Sequence, residues 1–231
     1  MQASPVDQPH RTCNHRNRPN LAGCGQPLAS TTEISAVPTI ANPQEALKRL
    51  YAGNARFAQG KSLAINRDFK RIQAIAARQS PFAAFLGCAD SRVPVEIIFD
   101  QGFGDLFVTR IAGNIASSEN IGSLEFAAAV LGVKALYVLG HTACGAVTAT
   151  MQGAEVPGQI SGLFQYIRPA VKVAGGDLDR AVRENVRNQA LVLAESSPII
   201  SRMLQNNELA IEGGVYDLQT GLVSPVPISL Q

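Results

Sequence analysis

The sequence predicts an α/β fold, with a central, mainly parallel β-sheet of four to five strands flanked by helices and an N-terminal helical arm. Three short, mostly apolar runs carry this prediction: residues 82–88, 106–112 and 135–139. Such runs are typical of strands that are buried on both faces of a parallel sheet. A helical stripe separates the second run from the third, which gives the strand, helix, strand order of parallel sheets.

The helices are predicted from the spacing of apolar residues and from helix-start signals. Asn42-Pro43 is a helix start, because Asn caps free backbone N–H groups and Pro is tolerated in the first turn. Ser197-Pro198 opens a later short helix, and residues 209–218, followed by a turn at Thr220-Gly221, predict one or two late strands. The helical stripes consist of Ala46, Leu47 and Leu50, of Ile121, Leu124, Ala128 and Leu131, and of Val182, Val186, Ala190 and Leu193.

Residues 1–42 are predicted to be a poorly ordered or extended tail, and residues 43–231 a single domain. The tail is rich in Pro, Asn, Ser, Thr, Gln and Gly and shows neither a helical nor a strand period. It contains two histidines and two cysteines whose spacing matches no standard zinc pattern: His10, Cys13, His15 and Cys24. A Cys13–Cys24 disulfide would require an oxidising compartment. The compartment stays open: cytoplasmic as written, or periplasmic should an export signal precede this sequence.

The composition excludes several classes of function. The chain has 231 residues, 46% hydrophobic and 16% charged, which is enough for one sizeable core. Its formal net charge is +2 and its basic residues are scattered among acidic ones, so we expect no nucleic-acid partner. No apolar stretch approaches the roughly 20 residues that span a bilayer, and the N-terminus lacks the apolar core of a signal peptide. We therefore expect a soluble protein without a membrane partner that acts on a small molecule.

The chemistry is expected where the buried strands end, because ligands of open α/β sheets bind beyond the carboxyl ends of the strands. Cys88 ends the first strand, His141 follows the third, and Cys144 comes three residues later, where a helix begins. Two thiolates and an imidazole suit zinc and leave the fourth tetrahedral position open, as in catalytic sites. Taken alone, Cys88 would more often be a packed core residue than a ligand, and His141 could be an ordinary loop histidine. A structural site with four protein ligands is the main alternative.

Two local motifs are more specific. GCADSRVP at residues 87–94 and GHTACGA at residues 140–146 resemble the paired signature of β-class carbonic anhydrases, in the bacterial, open-site, plant-like subtype. The resemblance extends over residues 43 to about 217. It implies one Zn²⁺ per subunit, held by the two cysteines and the histidine named above. It also implies a homodimer or higher homo-oligomer in which the N-terminal arm crosses onto the neighbour, since this amphipathic helix would otherwise lie apart from the core.

The resemblance gives Asp90 and Arg92 a gating role. Asp90 is two residues beyond Cys88, near enough to bind zinc as a fourth ligand in a closed state or to accept a bidentate hydrogen bond from Arg92. When Arg92 holds the carboxylate, water takes the fourth position. A local salt bridge without functional consequence is the alternative.

The implied reaction is the reversible hydration of carbon dioxide to bicarbonate and a proton by zinc-bound hydroxide. The resemblance places Gln79, Phe107 and Ala112 around the substrate, with Gln79 supplied by the partner subunit. Phe126 stands where many relatives carry Tyr, so the pocket lacks a phenolic hydroxyl. Because two thiolates neutralise the metal's charge, we expect activity to rise toward alkaline pH.

Other functions would use the same ligands. A related zinc hydrolase of another small heteroallene, such as carbon disulfide, would differ in access to the pocket rather than in motif. A zinc oxidoreductase is disfavoured, because QGFGDL at residues 101–106 lacks the third glycine of a dinucleotide fingerprint. A non-catalytic, zinc-stabilised domain would need a fourth permanent protein ligand.

Overall fold

A five-stranded sheet forms the centre of the computed structural model, which describes residues 40–230. Its strands are β1 (Ala83–Gly87), β2 (Leu106–Arg110), β3 (Ala135–His141), β4 (Ala210–Tyr216) and β5 (Val223–Val226). They lie in the order β2-β1-β3-β4-β5, with the first four parallel and β5 antiparallel to β4. The predicted α/β fold is confirmed. The cysteines and histidines of the predicted tail lie outside the described residues.

Helices cover the sheet within this range. They are α1 (Pro43–Ala58), α2 (Phe69–Ile75), α3 (Val95–Ile98), α4 (Ser118–Ala129), α5 (Gly145–Met151), α6 (Phe164–Ala174), α7 (Leu178–Ser196) and α8 (Pro198–Gln205). Both predicted helix starts are confirmed: Asn42 Oδ1 accepts from the Glu45 N–H, and Ser197 Oγ accepts from the Ile200 N–H. Among residues 40–230, no helix is both long enough and apolar enough to cross a membrane.

The two faces of the sheet bury separate sets of side chains, because successive residues of a strand point to opposite faces. Leu86 and Val138 face the layer formed by α4 to α8. Phe85 and Tyr137 face the opposite layer, where they pack with Leu50 of α1. Since both faces of β1 and β3 are covered, the sequence of these strands reads as an almost continuous apolar run.

Strand β2 differs from the prediction. The run 106–112 predicts burial on both faces, yet the side chains of β2 are half-buried from Leu106 to Thr109 and exposed at Arg110, because this strand forms an edge of the sheet. The strand also ends at Arg110, two residues earlier than predicted. β3 extends two residues further than predicted, so His141 is the last residue of a strand rather than part of the following loop.

Helix α1 packs against the sheet of its own chain. Ala46 and Leu50 are fully buried in the same cluster as Phe85. Tyr51 donates a hydrogen bond from its hydroxyl to the Glu212 carboxylate on β4. The expectation that this helix would lie apart from the core of its own chain is therefore wrong, because the sheet already covers its apolar face.

Gly53 allows the close approach of α1 to the end of α3. A Cβ atom at this position would lie 1.9 Å from the Phe99 carbonyl oxygen, so the backbone would have to move. We predict that Gly53→Ala lowers the free energy of unfolding by about 1–3 kcal/mol, measured by denaturant titration. The matched control is Gly122→Ala in α4, where an added Cβ would meet no atom within 4 Å. Equal losses in both variants would contradict this account of the packing.

Candidate metal centre

Two thiols and an imidazole meet at the C-terminal ends of the central strands. The Sγ atoms of Cys88 and Cys144 and a ring nitrogen of His141 all lie within 4.8 Å of one another. Cys88 follows β1, and His141 ends the neighbouring parallel strand β3, which sets these two side by side. Ala143 has a left-handed φ of 54°, and the tight turn at this residue brings Cys144 close to the other two side chains. Cys144 is the N-cap residue of α5.

The cluster has the properties of a metal-binding site. All three side chains are buried, with exposed fractions of 4% for Cys88, 0% for His141 and 1% for Cys144. His141 Nδ1 lies 2.9 Å from the Thr142 carbonyl oxygen, which requires the proton on Nδ1 and leaves the Nε2 lone pair free. Within the described residues Nε2 has no hydrogen-bond partner. A buried nitrogen without a partner is costly, and a metal ion would satisfy it. Two sulfurs and one nitrogen are a donor set that fits zinc.

The two thiols share their ionisation. The pKa of the Cys88 thiol is lowered, chiefly by a hydrogen bond from the Cys144 thiol and further by the backbone N–H of Gly113. The pKa of Cys144 is raised, because it donates that hydrogen bond and is buried. The contact between the two thiols therefore favours ionisation of Cys88 and opposes ionisation of Cys144. The second thiol loses its proton when a cation is present to neutralise it.

Asp90 and Arg92 form an ion pair beside the cluster. Two guanidinium nitrogens of Arg92 donate to the two carboxylate oxygens of Asp90 at 2.9 and 2.7 Å, and the Arg92 backbone N–H donates to the same carboxylate at 2.9 Å. Asp90 Oδ2 lies 3.8 Å from His141 Nε2. The hydrogen bond from Arg92 holds the pKa of the Asp90 carboxyl well below its usual range, so the group is ionised. In this structure the Asp90 carboxylate is thus bound by Arg92.

The structure brings only some of the predicted pocket residues together. Phe107 and Phe126 are neighbours, with ring centroids 6.4 Å apart. Ala112 precedes Gly113, whose backbone N–H donates to Cys88 Sγ at 3.4 Å. Gln79 is exposed in the loop before β1. That loop precedes the N-terminal end of the strand, whereas the metal-binding cluster lies beyond the C-terminal end. A single chain, as far as it is described, does not bring Gln79 to the cluster.

The residues that hold the ligand loops were not predicted. Arg110 donates from Nε to the Cys88 carbonyl at 2.9 Å and from a terminal nitrogen to the Asp90 carbonyl at 2.5 Å. Asn185 of α7 donates to the Gly113 carbonyl at 2.8 Å. The residue types of both stand out in the sequence, although their partners do not. Arg110 is the charged residue of an otherwise mostly apolar strand, and Asn185 interrupts the apolar stripe of its helix.

Comparison with known proteins identifies the family. The sequence profile described as carbonic anhydrase matches residues 83–223, a range that contains all three residues of the cluster. Carbonic anhydrase 2 of Mycobacterium tuberculosis is 38% identical over 188 residues, which cover 78% of this chain and 91% of that protein. The β-carbonic anhydrase of Coccomyxa, solved in complex with acetazolamide, matches with a TM-score of 0.60 at 25% identity, over 85% of this chain and 87% of that one. This chain belongs to the β-carbonic anhydrase family.

The fold of the β-carbonic anhydrase family recurs in more distant proteins. One of two tetrameric β-carbonic anhydrases of Sordaria macrospora matches with a TM-score of 0.64 at 22% identity, over 78% of this chain and 96% of that chain. At this identity the likeness concerns the fold alone. The resemblance inferred from the motifs around Cys88 and His141 is thus confirmed as membership in the β-carbonic anhydrase family.

Proposed function

We propose that this chain is a zinc-dependent carbonic anhydrase that catalyses the reversible hydration of carbon dioxide to bicarbonate and a proton. The observation that carries the proposal is the buried cluster of two thiols and one imidazole in a member of this family. The enzyme class is that of the family, a lyase. The proposed ion is Zn²⁺, one per subunit, because thiolate and imidazole donors together suit it.

Each of the three proposed ligands would donate one atom to the ion. Cys88 and Cys144 contribute thiolates, and His141 presents Nε2 because the Thr142 carbonyl fixes the proton on Nδ1. Three protein ligands leave one tetrahedral position for an exchangeable water. Zinc bound there would supply the Lewis acidity that makes a water molecule nucleophilic near neutral pH.

We propose that Asp90 and Arg92 control access to that position. The bidentate hydrogen bond from Arg92 keeps the carboxylate oxygens occupied, which leaves the fourth position to water. Release of the carboxylate would let Asp90 act as the fourth ligand and close the site. The short distance between Asp90 Oδ2 and His141 Nε2, 3.8 Å, supports this role because the carboxylate needs to move little to do so.

The proposed pocket for carbon dioxide is apolar, as the substrate is. Phe107 and Phe126 form one wall, and Ala112 adjoins the loop that contacts Cys88. We propose that Gln79 enters this pocket from a neighbouring subunit of a homodimer or larger homo-oligomer. Its exposure in the loop before β1 supports this assignment, because an exposed side chain is available to a second copy.

The catalytic unit is proposed to be one domain spanning residues 43–231. All five strands of the described chain belong to one sheet, and α1 packs on that sheet from the N-terminal side of the sequence. The family match at residues 83–223 lies wholly inside this range.

The function is tested by stopped-flow measurement of carbon dioxide hydration, with carbon disulfide hydrolysis assayed in parallel. We expect kcat/KM for hydration within the enzymatic range of about 10⁴–10⁸ M⁻¹s⁻¹ and no turnover of carbon disulfide. Turnover of carbon disulfide alone would assign the site to a heteroallene hydrolase. Stoichiometric zinc without turnover of either compound would indicate a zinc-stabilised domain that is not an enzyme.

We predict that the hydration rate rises from acidic toward alkaline pH. Two thiolates donate more charge to the ion than neutral imidazoles do, so the pKa of the reacting water falls less than in an all-histidine site. Asp90 does not account for the rise, since Arg92 holds the pKa of its carboxyl well below the usual range and the group stays ionised over about pH 6 to 9. A pH–rate profile that is flat down to acidic values would contradict this prediction.

A further inference from the structure

The loop between β2 and α4 passes beside the sulfur of Cys88. The backbone N–H of Gly113 donates to Cys88 Sγ at a distance of 3.4 Å. Gly113 and Asn114 both have left-handed backbone conformations, with φ of 76° and 44°. For a residue with a side chain, such as Asn114, this conformation carries a cost and persists only where the surrounding structure holds it.

One side of the loop is held by close packing. A Cβ atom at Gly113 would lie 2.7 Å from Ile167 Cδ1 of α6 and 3.3 Å from the Cβ of Ala146 in α5. The loop is therefore packed closely against these helices on this side. What prevents it from moving away from Cys88 is a set of hydrogen bonds from α7.

Asn185 and Gln189 of α7 provide those hydrogen bonds. Asn185, with an exposed fraction of 1%, donates from Nδ2 to the Gly113 carbonyl at 2.8 Å. Gln189, with an exposed fraction of 2%, donates from Nε2 to Asn185 Oδ1 at 3.1 Å and to the Tyr166 carbonyl at 3.0 Å. Its Oε1 accepts from the Ala116 N–H at 2.8 Å. This network orients the Asn185 amide so that its NH₂ group faces Gly113.

A hydrogen bond to a metal-bound thiolate changes what the sulfur does as a ligand. It fixes the direction of the sulfur lone pairs and withdraws charge from the sulfur. Residues that orient metal ligands from outside the coordination sphere commonly change metal affinity or activity by about tenfold to a hundredfold when replaced.

We propose that Asn185 is a positioning residue for the metal centre: by holding the Gly113 carbonyl, it aims the Gly113 N–H at the Cys88 sulfur and sets how strongly that sulfur binds zinc. The proposal rests on the proposed function for the identity of the ion, but its test reads metal binding directly. Asn185 acts through Gly113 and Cys88 and touches no reacting atom.

The test compares Asn185→Leu with wild type. Leu has the same number of side-chain heavy atoms and the same branching as Asn, but it removes the donor to Gly113. We expect the zinc dissociation constant, measured by chelator competition, to rise by about tenfold to a hundredfold. In Co²⁺-substituted protein, we expect the thiolate-to-cobalt charge-transfer band to shift, since its energy depends on the charge and orientation of the sulfur, and the Gly113 N–H affects both.

The matched control is Asn188→Leu, three residues further along α7. Asn188 is half-buried, and within the described residues its side chain makes no hydrogen bond, so zinc affinity and the cobalt spectrum should match wild type. Should Asn185→Leu not fold, the same measurements on the near-isosteric Asn185→Asp and on Gln189→Glu decide the question. Both variants remove an amide donor from the network and keep the volume of the side chain.

The outcomes separate the two proposals. If the wild type binds no zinc, the proposed function fails. If the wild type binds zinc and hydrates carbon dioxide while the Asn185 variants keep its zinc affinity and cobalt spectrum, the positioning role is overturned and the function stands. A loss of thermal stability without a change in either readout overturns it as well, because the residue then acts only on the fold.

Discussion

Replacement of Cys144 by Ala is expected to remove stoichiometric zinc and to lower kcat/KM for carbon dioxide hydration by about a thousandfold or more. The variant would leave one thiolate and one imidazole in a buried site, too few donors to hold the ion tightly. The metal contributes several kcal/mol to the stabilisation of the transition state, and each 1.4 kcal/mol or so is a factor of ten in rate. Metal analysis and stopped-flow hydration of the same preparation measure both effects.

The control for this variant lies in α5, the helix that begins directly after Cys144. Thr150 is buried in α5, and its hydroxyl donates only to the Ala146 carbonyl among the described residues. We expect Thr150→Val to keep its zinc and to retain its activity within about threefold, since it removes no donor from the cluster. Full zinc content and normal hydration in Cys144→Ala would show that this cysteine is not a ligand.

Arg92→Ala is expected to lower hydration by about tenfold to a hundredfold while zinc stays bound. Without the guanidinium, the Asp90 carboxylate loses both side-chain hydrogen bonds that hold it and is free to take the fourth position on the ion. The carboxylate would then displace the water that reacts. Zinc content and stopped-flow hydration distinguish this result from loss of the metal.

A second substitution separates gating from a general structural role for Arg92. In the double variant Arg92→Ala with Asp90→Ala, no carboxylate remains beside the metal to close the site. The gating account predicts that the double variant is more active than Arg92→Ala alone, a coupling that a double-mutant cycle measures. Equal or lower activity of the double variant would contradict the gate.

Elements set by local sequence signals were predictable. Asn42 and Ser197 cap the helices that follow them, and β1 and β3 read as apolar runs because both of their faces are buried. Helix α6 was not predicted, since Pro169 lies inside it and proline normally ends or kinks a helix. Helices α2 and α3, with 7 and 4 residues, are too short for a period to be counted.

What depends on long-range contacts was not predictable. The apolar run of β2 indicates a strand but not its place at the edge of the sheet. The amphipathic pattern of α1 indicates that its apolar face needs a partner, but not that the sheet of the same chain provides it.

In the candidate site, too, some residues were predictable from local motifs and others were not. The cluster of Cys88, His141 and Cys144 follows from two short motifs, because parallel strands place their carboxyl ends together. The hydrogen bond from Asn185 to Gly113 joins residues 72 positions apart, and no local pattern encodes such a contact. The sequence therefore predicted the residues of the cluster better than the residues that hold the loops around it.

The proposed centre is one zinc ion between two sulfurs and one nitrogen, with a position left for water. Zinc-edge X-ray absorption on the purified protein tests this most directly. We expect one zinc per chain, with two sulfurs at about 2.3 Å, one nitrogen at about 2.0–2.1 Å and one exchangeable oxygen. Protein without zinc, or zinc with four permanent sulfur and nitrogen ligands, would contradict it.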